Sequence, residues 1–533
     1  MAPVPPAWLV AGDRPVLMAI GDSFLNGMRS LTIDDALARL SIPALVGAAL
    51  RPPAGFAPFA PAAYPRPVLI DGEALLRRHV RSIAGLVGLV QLGAALGEIK
   101  GAVRANALAW IHGRASAPMP ARPQRFDNLA IAGARLPDVF GADYRTIADR
   151  WAVMAGAITA EADPFDWEGL LAADDPYADD RAYADQPGPF PADPLLATGR
   201  GWGVADCHIT LNALHLMNPD GAPGLEEFRV VDIVHARRPH VLLVNLGPNH
   251  GLADICSGGQ GARGAARLRR FARLWPRCAE ELAATPDLGL CVVLLPPLPS
   301  QVPALMPSRL TGDVDPPVPP AGPDGRRYHA EYVSAMSLTP GGAAFYTRDE
   351  VRGFDAAAEE ARAALRQATQ AAFDAAGRRV AFVDCAALIG AHDVKNSMGD
   401  PFVPDPAAGV SYDNRCLGDR GALTGRRRLR GGICSLDNFH PTTLGYRYVA
   451  RAVAEAIADA EPGLVAALPE VSIRGDTLLG DMPWPAVNLL QTFWPFAQDL
   501  PGGGGFGGAV AAVAGEAAGR RAFRAMQRFG GMR

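Results

Sequence analysis

Lysine is almost absent from this chain of 533 residues: Lys100 and Lys395 are the only two among 51 basic residues, so arginine carries nearly all the positive charge. Against that background the arginines within 426–430 are weak evidence for an anionic ligand and read as a solvated loop. A charge excess is missing too. The formal net charge of −4 gives no reason to expect nucleic acid or an anionic membrane surface as a partner. Cysteine is scarce: seven residues, an odd number with no CxxC spacing, argue against a disulfide framework and against a zinc site. His208, His215 and His235 have no carboxylate at metal-ligand spacing, so neither a metal nor another cofactor is expected. No apolar run reaches bilayer length; residues 83–96, about 14 positions broken by Gln91 and three glycines, suit a buried or lid helix. The amino-terminal M-A-P-V-P-P-A-W-L-V has neither the basic start nor the apolar core of a secretory signal, so the expected location is the cytoplasm. No repeat of fixed period is present.

What the chain does have is a series of short apolar runs that stop at glycine or proline. The first, within residues 15–27, reads P-V-L-M-A-I-G-D-S-F-L-N-G: a strand covered on both faces that delivers a serine, Ser23, through Gly21 and Asp22. Asp22 reads as a turn former. The periodicity behind it predicts a helix over 24–40. A second run, F-D-N-L-A-I-A at 126–132, ends at Gly133, and a helix is expected over 137–157. The third, V-L-L-V-N-L after His240, ends in Gly247, Pro248, Asn249 and His250. The fourth and fifth are G-L-C-V-V-L-L at 289–295 and R-V-A-F-V-D at 379–384, with helical patterns at 264–284 and 349–376. Five apolar strands separated by helices imply parallel βαβ units in a sheet covered on both sides.

Long irregular stretches interrupt this rhythm. The expected organisation is one α/β domain over 1–465, with insertions at about 41–125 and 159–235 forming a cap or subdomain, and a C-terminal extension over 466–533 packed on the domain. Near the end, S-L-D-N-F-H-P precedes a clean apolar stripe through Leu444, Val449, Val453 and Ile457, with Pro441 expected in the first helical turn and His440 just outside it.

Parallel strands put their carboxyl ends on one side of the sheet, so residues far apart in the chain can meet at one crevice there. A serine hydroxyl needs a base to become a nucleophile, and His440 is the candidate. Asp437, three residues earlier, can orient the imidazole. The N–H groups of Ser23 and Gly133 and the side-chain amide of Asn249 are suitable donors to an oxyanion.

These residues carry a family resemblance. G-D-S at 21–23, N-L-A-I-A-G at 128–133, G-P-N at 247–249 and D-N-F-H-P at 437–441 resemble, in order, the four blocks of the SGNH, or GDSL, hydrolases. The resemblance implies a three-layer α/β/α flavodoxin-like fold with a five-stranded parallel sheet, a Ser23–Asp437–His440 triad, and oxyanion donors from Ser23, Gly133 and Asn249. It also implies action on carboxylic esters, of lipids, acetylated sugars or thioesters, generally without a metal. His250 stands where the family usually has aspartate; it and Asn128 are candidates for the substrate pocket. The expected activity is ester hydrolysis. An O-acyltransferase with the same triad, or a binding protein with a vestigial site, are the alternatives.

Overall fold

The structure is a computed structural model, and it describes residues 3–30, 32–72, 74, 101–114, 119–161, 165–166, 202–257, 261–307, 321, 326–334, 345–393, 418–419, 429–430, 432–435 and 439–470. Asp437, the apolar run at 83–96, most of the arginine cluster and the chain beyond 470 lie outside the described residues.

Five strands form the central sheet: β1 (Leu17–Gly21), β2 (Asn128–Ala130), β3 (Val241–Asn245), β4 (Leu290–Leu295) and β5 (Arg379–Asp384). All neighbours pair in parallel and the spatial order is 2-1-3-4-5. That is the order of a doubly wound sheet whose winding reverses between β1 and β3, the point where such sheets collect ligands beyond their carboxyl ends.

Alternation along each strand divides the interior into two cores. Leu17 and Ala19 of β1, with Leu243, Val292 and Leu294, meet the apolar stripe Tyr446, Val449, Val453 and Ile457. Met18 and Ile20, with Leu242, Val244 and Val293, face the opposite layer through Leu211, Val234, Phe271 and Leu365. Both faces being buried explains why β1, β3 and β4 read as continuous apolar runs rather than as alternating ones.

The helices that matter for the site are α1 (Ser23–Asn26), α2 (Ile42–Ala49), α3 (Tyr144–Ala160), α4 (Val204–Met217), α5 (Val230–Arg237), α6 (Gly261–Ala283), α7 (Arg348–Ala375) and α8 (Thr443–Ala460). Several depart from the sequence expectation. The helix expected over 24–40 is a single turn, ended at Gly27 where φ is +93°, and a second short turn at Asp35–Ala38 follows, capped by Asp34. The helix expected over 137–157 is broken at Gly141 into Leu136–Phe140 and α3, which Asp143 caps. Pro441 lies two residues before α8 instead of in its first turn, because Thr442 takes the cap position and accepts from the Gly445 N–H. The segments read as insertions also contribute layer helices: α2 packs in the core under α8, and α4 and α5 pack on the other face of the sheet. Among the described residues no helix is long and apolar enough to cross a membrane.

Candidate active site

Ser23 is the first residue of α1, immediately beyond the carboxyl end of β1. Two local features force this placement. Gly21 lies so close to β3 that a Cβ there would sit 2.3 Å from the Asn245 carbonyl oxygen, so only glycine lets the two strand ends approach. Asp22 then leaves the ladder in an extended conformation and caps the turn, its Oδ1 accepting from the Phe24 N–H at 3.0 Å. As the first helical residue, Ser23 has an N–H that no intrahelical carbonyl accepts.

His440 comes to Ser23 from 417 residues away, with Nε2 at 2.8 Å from Ser23 Oγ, the geometry for the hydroxyl to donate to the imidazole. Its loop is a closed hairpin: the Ser435 N–H donates to the His440 carbonyl at 2.6 Å and the Thr442 N–H to the Ile433 carbonyl at 2.9 Å. The segment just after α1 grips this hairpin and α8. Arg29 Nη1 donates to Thr443 Oγ1 at 2.8 Å, the Ser30 N–H to Ser435 Oγ at 3.1 Å, and the Tyr446 hydroxyl to the Met28 carbonyl. The serine and its base are thus tied together by bonds outside the reacting pair.

Gly133, at φ +83°, follows β2, and Ile209 of α4 occupies the space a Cβ would need. Asn249 Nδ2 donates to the Ala134 carbonyl at 3.1 Å, which joins the loop after β3 to the loop after β2. His250 adds a second tie: its Nε2 accepts from the Leu136 N–H at 2.8 Å, and its ring lies 5.1 Å from that of Phe271. Asn128 is buried in β2, donating to the Leu25 carbonyl at 3.0 Å and accepting from the Ala130 N–H at 3.1 Å. His250 and Asn128 therefore hold the strand-end loops in place; the cleft at Ser23 is lined by neither of them, nor by Gly133 or Asn249, which stand beside it on the loops after β2 and β3.

The polar groups lining that cleft come from Asp22, Ser23, Asn245, His440 and Tyr448; Leu252, Val302, Ile389 and Phe439 form much of its apolar wall. Asp22 is its unexpected member. The carboxyl is fully buried, Oδ1 also accepts from Asn245 Nδ2 at 2.7 Å, and Oδ2 has no partner among the described residues. Burial, opposed by the Phe24 N–H, Asn245 and His440, pushes its pKa up to about 7. The polar Asn245 closing an otherwise apolar strand was the one sequence signal for this arrangement.

The consequence for stability has a definite sign. Between pH 4 and 7 the unfolded chain has released the Asp22 proton while the folded chain retains it, so this group makes stability fall as pH rises, by up to about 4 kcal/mol. Asp22→Asn preserves both Oδ1 bonds and removes the ionisation. Its melting temperature is expected to match that of the wild type near pH 4 and to exceed it increasingly up to pH 7 or 8. A gap independent of pH in calorimetry would show that Asp22 does not titrate in this range.

Among the described residues no group of three or more His, Cys, Asp or Glu could hold a metal ion. The protein-family models contain no match to this chain, and a search of curated proteins finds none either.

Proposed function

We propose that this chain is a serine esterase of the SGNH, or GDSL, type, hydrolysing a carboxylic ester through an acyl-enzyme on Ser23. The observation that carries this reading is the 2.8 Å approach of Ser23 Oγ to His440 Nε2 at the point where the winding of the parallel sheet reverses. The strand order and the positions of Gly133 and Asn249 just beyond β2 and β3 support it.

In the first half-reaction Oγ attacks the ester carbonyl carbon while its proton passes to Nε2. The oxyanion is assigned to the N–H groups of Ser23 and Gly133 and to the second amide N–H of Asn249, whose first is taken by the Ala134 carbonyl. The carbon–oxygen bond to the alcohol then breaks as His440 returns the proton to the departing oxygen. Water repeats the sequence on the acyl-enzyme, and the acid leaves with Ser23 restored. Asp437 is assigned the role of accepting from the other imidazole nitrogen. The tie from His250 to Leu136 gives the residue that replaces the family's aspartate a structural role, so its presence is compatible with activity.

A fluorophosphonate probe tests the assignment. The wild type is expected to be labelled on Ser23 and Ser23→Ala to remain unlabelled, as read by mass spectrometry. An unlabelled wild type, or equal labelling of the variant, overturns the reading. Labelling accompanied by ester turnover only when an alcohol is supplied would assign the acyl-enzyme to O-acyl transfer instead of hydrolysis.

A further inference from the structure

A cavity of about 510 Å³ lies at the amino end of the sheet, the end opposite Ser23. Its walls come from segments that run into the strands: Arg14 shortly before β1, Arg125 before β2, and Arg237 and Arg238 where α5 gives way to β3. In a chain whose cations are nearly all arginine, such a cluster means little until its charges are paired off. Arg14 and Arg238 are accounted for. Arg14 Nε donates to the Arg238 carbonyl at 2.8 Å, and the Nη1 atoms of the two side chains lie 3.6 and 3.5 Å from Asp287 Oδ2.

Arg125 and Arg237 are not. Arg125 Nη1 donates to the Trp8, Leu9 and Ala11 carbonyls, which fixes the turn at Ala7–Val10. Its Nη2, 3.9 Å from where a Cβ of Gly12 would sit, donates to no described residue, and Gly12 itself lines the cavity. Arg237 is only 8% exposed; its Nη2 donates to Asp127 Oδ1 at 2.8 Å, and its Nη1 has no partner among the described residues. A buried donor without a partner is the exception in folded proteins and calls for an explanation. Asp127 serves both guanidiniums, since Arg125 also draws on its charge, and its other oxygen accepts the Ala60 N–H at 2.7 Å. Burial lowers the Arg237 pKa, Asp127 opposes this, and the like charge of Arg125 adds to it. The other acids of the wall do not supply a second negative charge to this pair: Asp232 is held through both oxygens by Arg229 at 2.8 Å, and Asp13 is exposed to water. Val10, Phe228 and Pro286 complete the wall with apolar surface. The volume falls in the range of small-molecule sites, about 300–1,000 Å³, and is more than an inorganic ion would fill.

We infer that this cavity is a binding site for a small organic anion: a carboxylate or phosphate group pairs with the Arg125 and Arg237 guanidiniums, and the rest of the molecule lies against Val10, Phe228 and Pro286. The guanidinium fork fits either oxyanion. An anion between the two arginines offsets their repulsion and supplies the acceptor that Arg237 Nη1 lacks. The site is separate from Ser23 and does not depend on the esterase reading.

Isothermal titration calorimetry of the full chain tests the inference with four probes: phenyl phosphate, benzoate, inorganic phosphate and benzyl alcohol. Phenyl phosphate or benzoate is expected to bind with one molecule per chain; either supports the site, and the tighter of the two names the head group. Inorganic phosphate and the neutral benzyl alcohol are each expected to bind at least about tenfold more weakly. Arg237→Lys keeps a positive charge beside Asp127 but lacks the fork, and it is expected to weaken the organic anion by about tenfold or more, the scale of one charge-assisted hydrogen bond. Ala236→Phe, which adds bulk to the cavity wall and leaves the arginines in place, is expected to do the same, whereas Arg39→Gln, which removes an exposed ion pair with Asp35 outside the cavity, is expected to bind as the wild type does. Three results overturn the inference. The first is a wild type that binds neither organic anion at about 10 mM. The second is benzyl alcohol or inorganic phosphate binding as tightly as the organic anions, the mark of an apolar slot or of an adventitious ion only. The third is a pair of folded variants, Arg237→Lys and Ala236→Phe, that bind as the wild type does. The first two need no variant to fold.

Discussion

His440→Ala is expected to lower ester turnover by about 10⁴-fold or more, with little change in melting temperature. A serine hydroxyl holds its proton tightly at neutral pH, so attack requires a base at hydrogen-bond distance, and Nε2 at 2.8 Å is the base in the proposed reaction. The fold does not depend on the ring to the same degree. The His440 backbone carbonyl still receives the Ser435 N–H, Thr442 still caps α8, and the bonds from Arg29, Ser30 and Tyr446 still hold the hairpin. Saturation kinetics on a short-chain ester, alongside thermal unfolding of the same preparation, check both halves. A loss below tenfold would remove His440 from the role of base.

Gly21→Ala is expected to cost about 4 kcal/mol or more and to abolish activity in whatever fraction still folds. The added methyl would lie 2.3 Å from the Asn245 carbonyl oxygen, and that oxygen cannot swing aside like the tip of a flexible side chain. It belongs to β3 and accepts the Asp22 N–H at 3.1 Å. The strands must therefore part at the end that positions Ser23, and the loop carrying Asn249 moves with β3. Gly156→Ala supplies the control: it lies in α3 with nothing within 4 Å of a built Cβ, and it is expected to be neutral or to stabilise by up to about 1 kcal/mol through helix propensity. Denaturant unfolding measures both variants, and a Gly21→Ala protein within 1 kcal/mol of the wild type would refute the argument from close approach.

The sheet was legible because burial on both faces leaves a mark that needs no partner to interpret: an apolar run bounded by glycine or proline. For the same reason the placement of Ser23, Gly133 and Asn249 just beyond strand ends, and of His440 ahead of a helix, could be read from the sequence. Residues defined by long-range partners were not legible. Asp22 looked like a turn former, which it is, but its burial in the cleft and its bond to Asn245, 223 residues away, come from distant segments. The apolar residues of α4 are spread around the helix, so no stripe marked its boundaries, and its Asn212 gains meaning only from the Ala132 N–H and the Tyr64 hydroxyl that it bonds. Over 24–40 a helical spacing of apolar residues was present, yet Gly27 ends the turn and the chain takes a tighter course. His250, judged from sequence as either a structural or a pocket residue, takes the Leu136 N–H that the start of its short helix would otherwise leave without a partner.

The 417-residue separation between Ser23 and His440 also has a meaning in time. A ribosome adding about 5–20 residues per second exposes the serine tens of seconds before the histidine exists. The same holds for the clasp formed by Arg29, Ser30 and Met28, whose partners all lie between 435 and 446. The early chain can pair β1 with β2 and then β3, but the pocket cannot close around the nucleophile until the last helix has been made and has docked. A nascent or truncated chain therefore holds Ser23 without His440, and under the proposed function assembly of this pair reports completion of the domain.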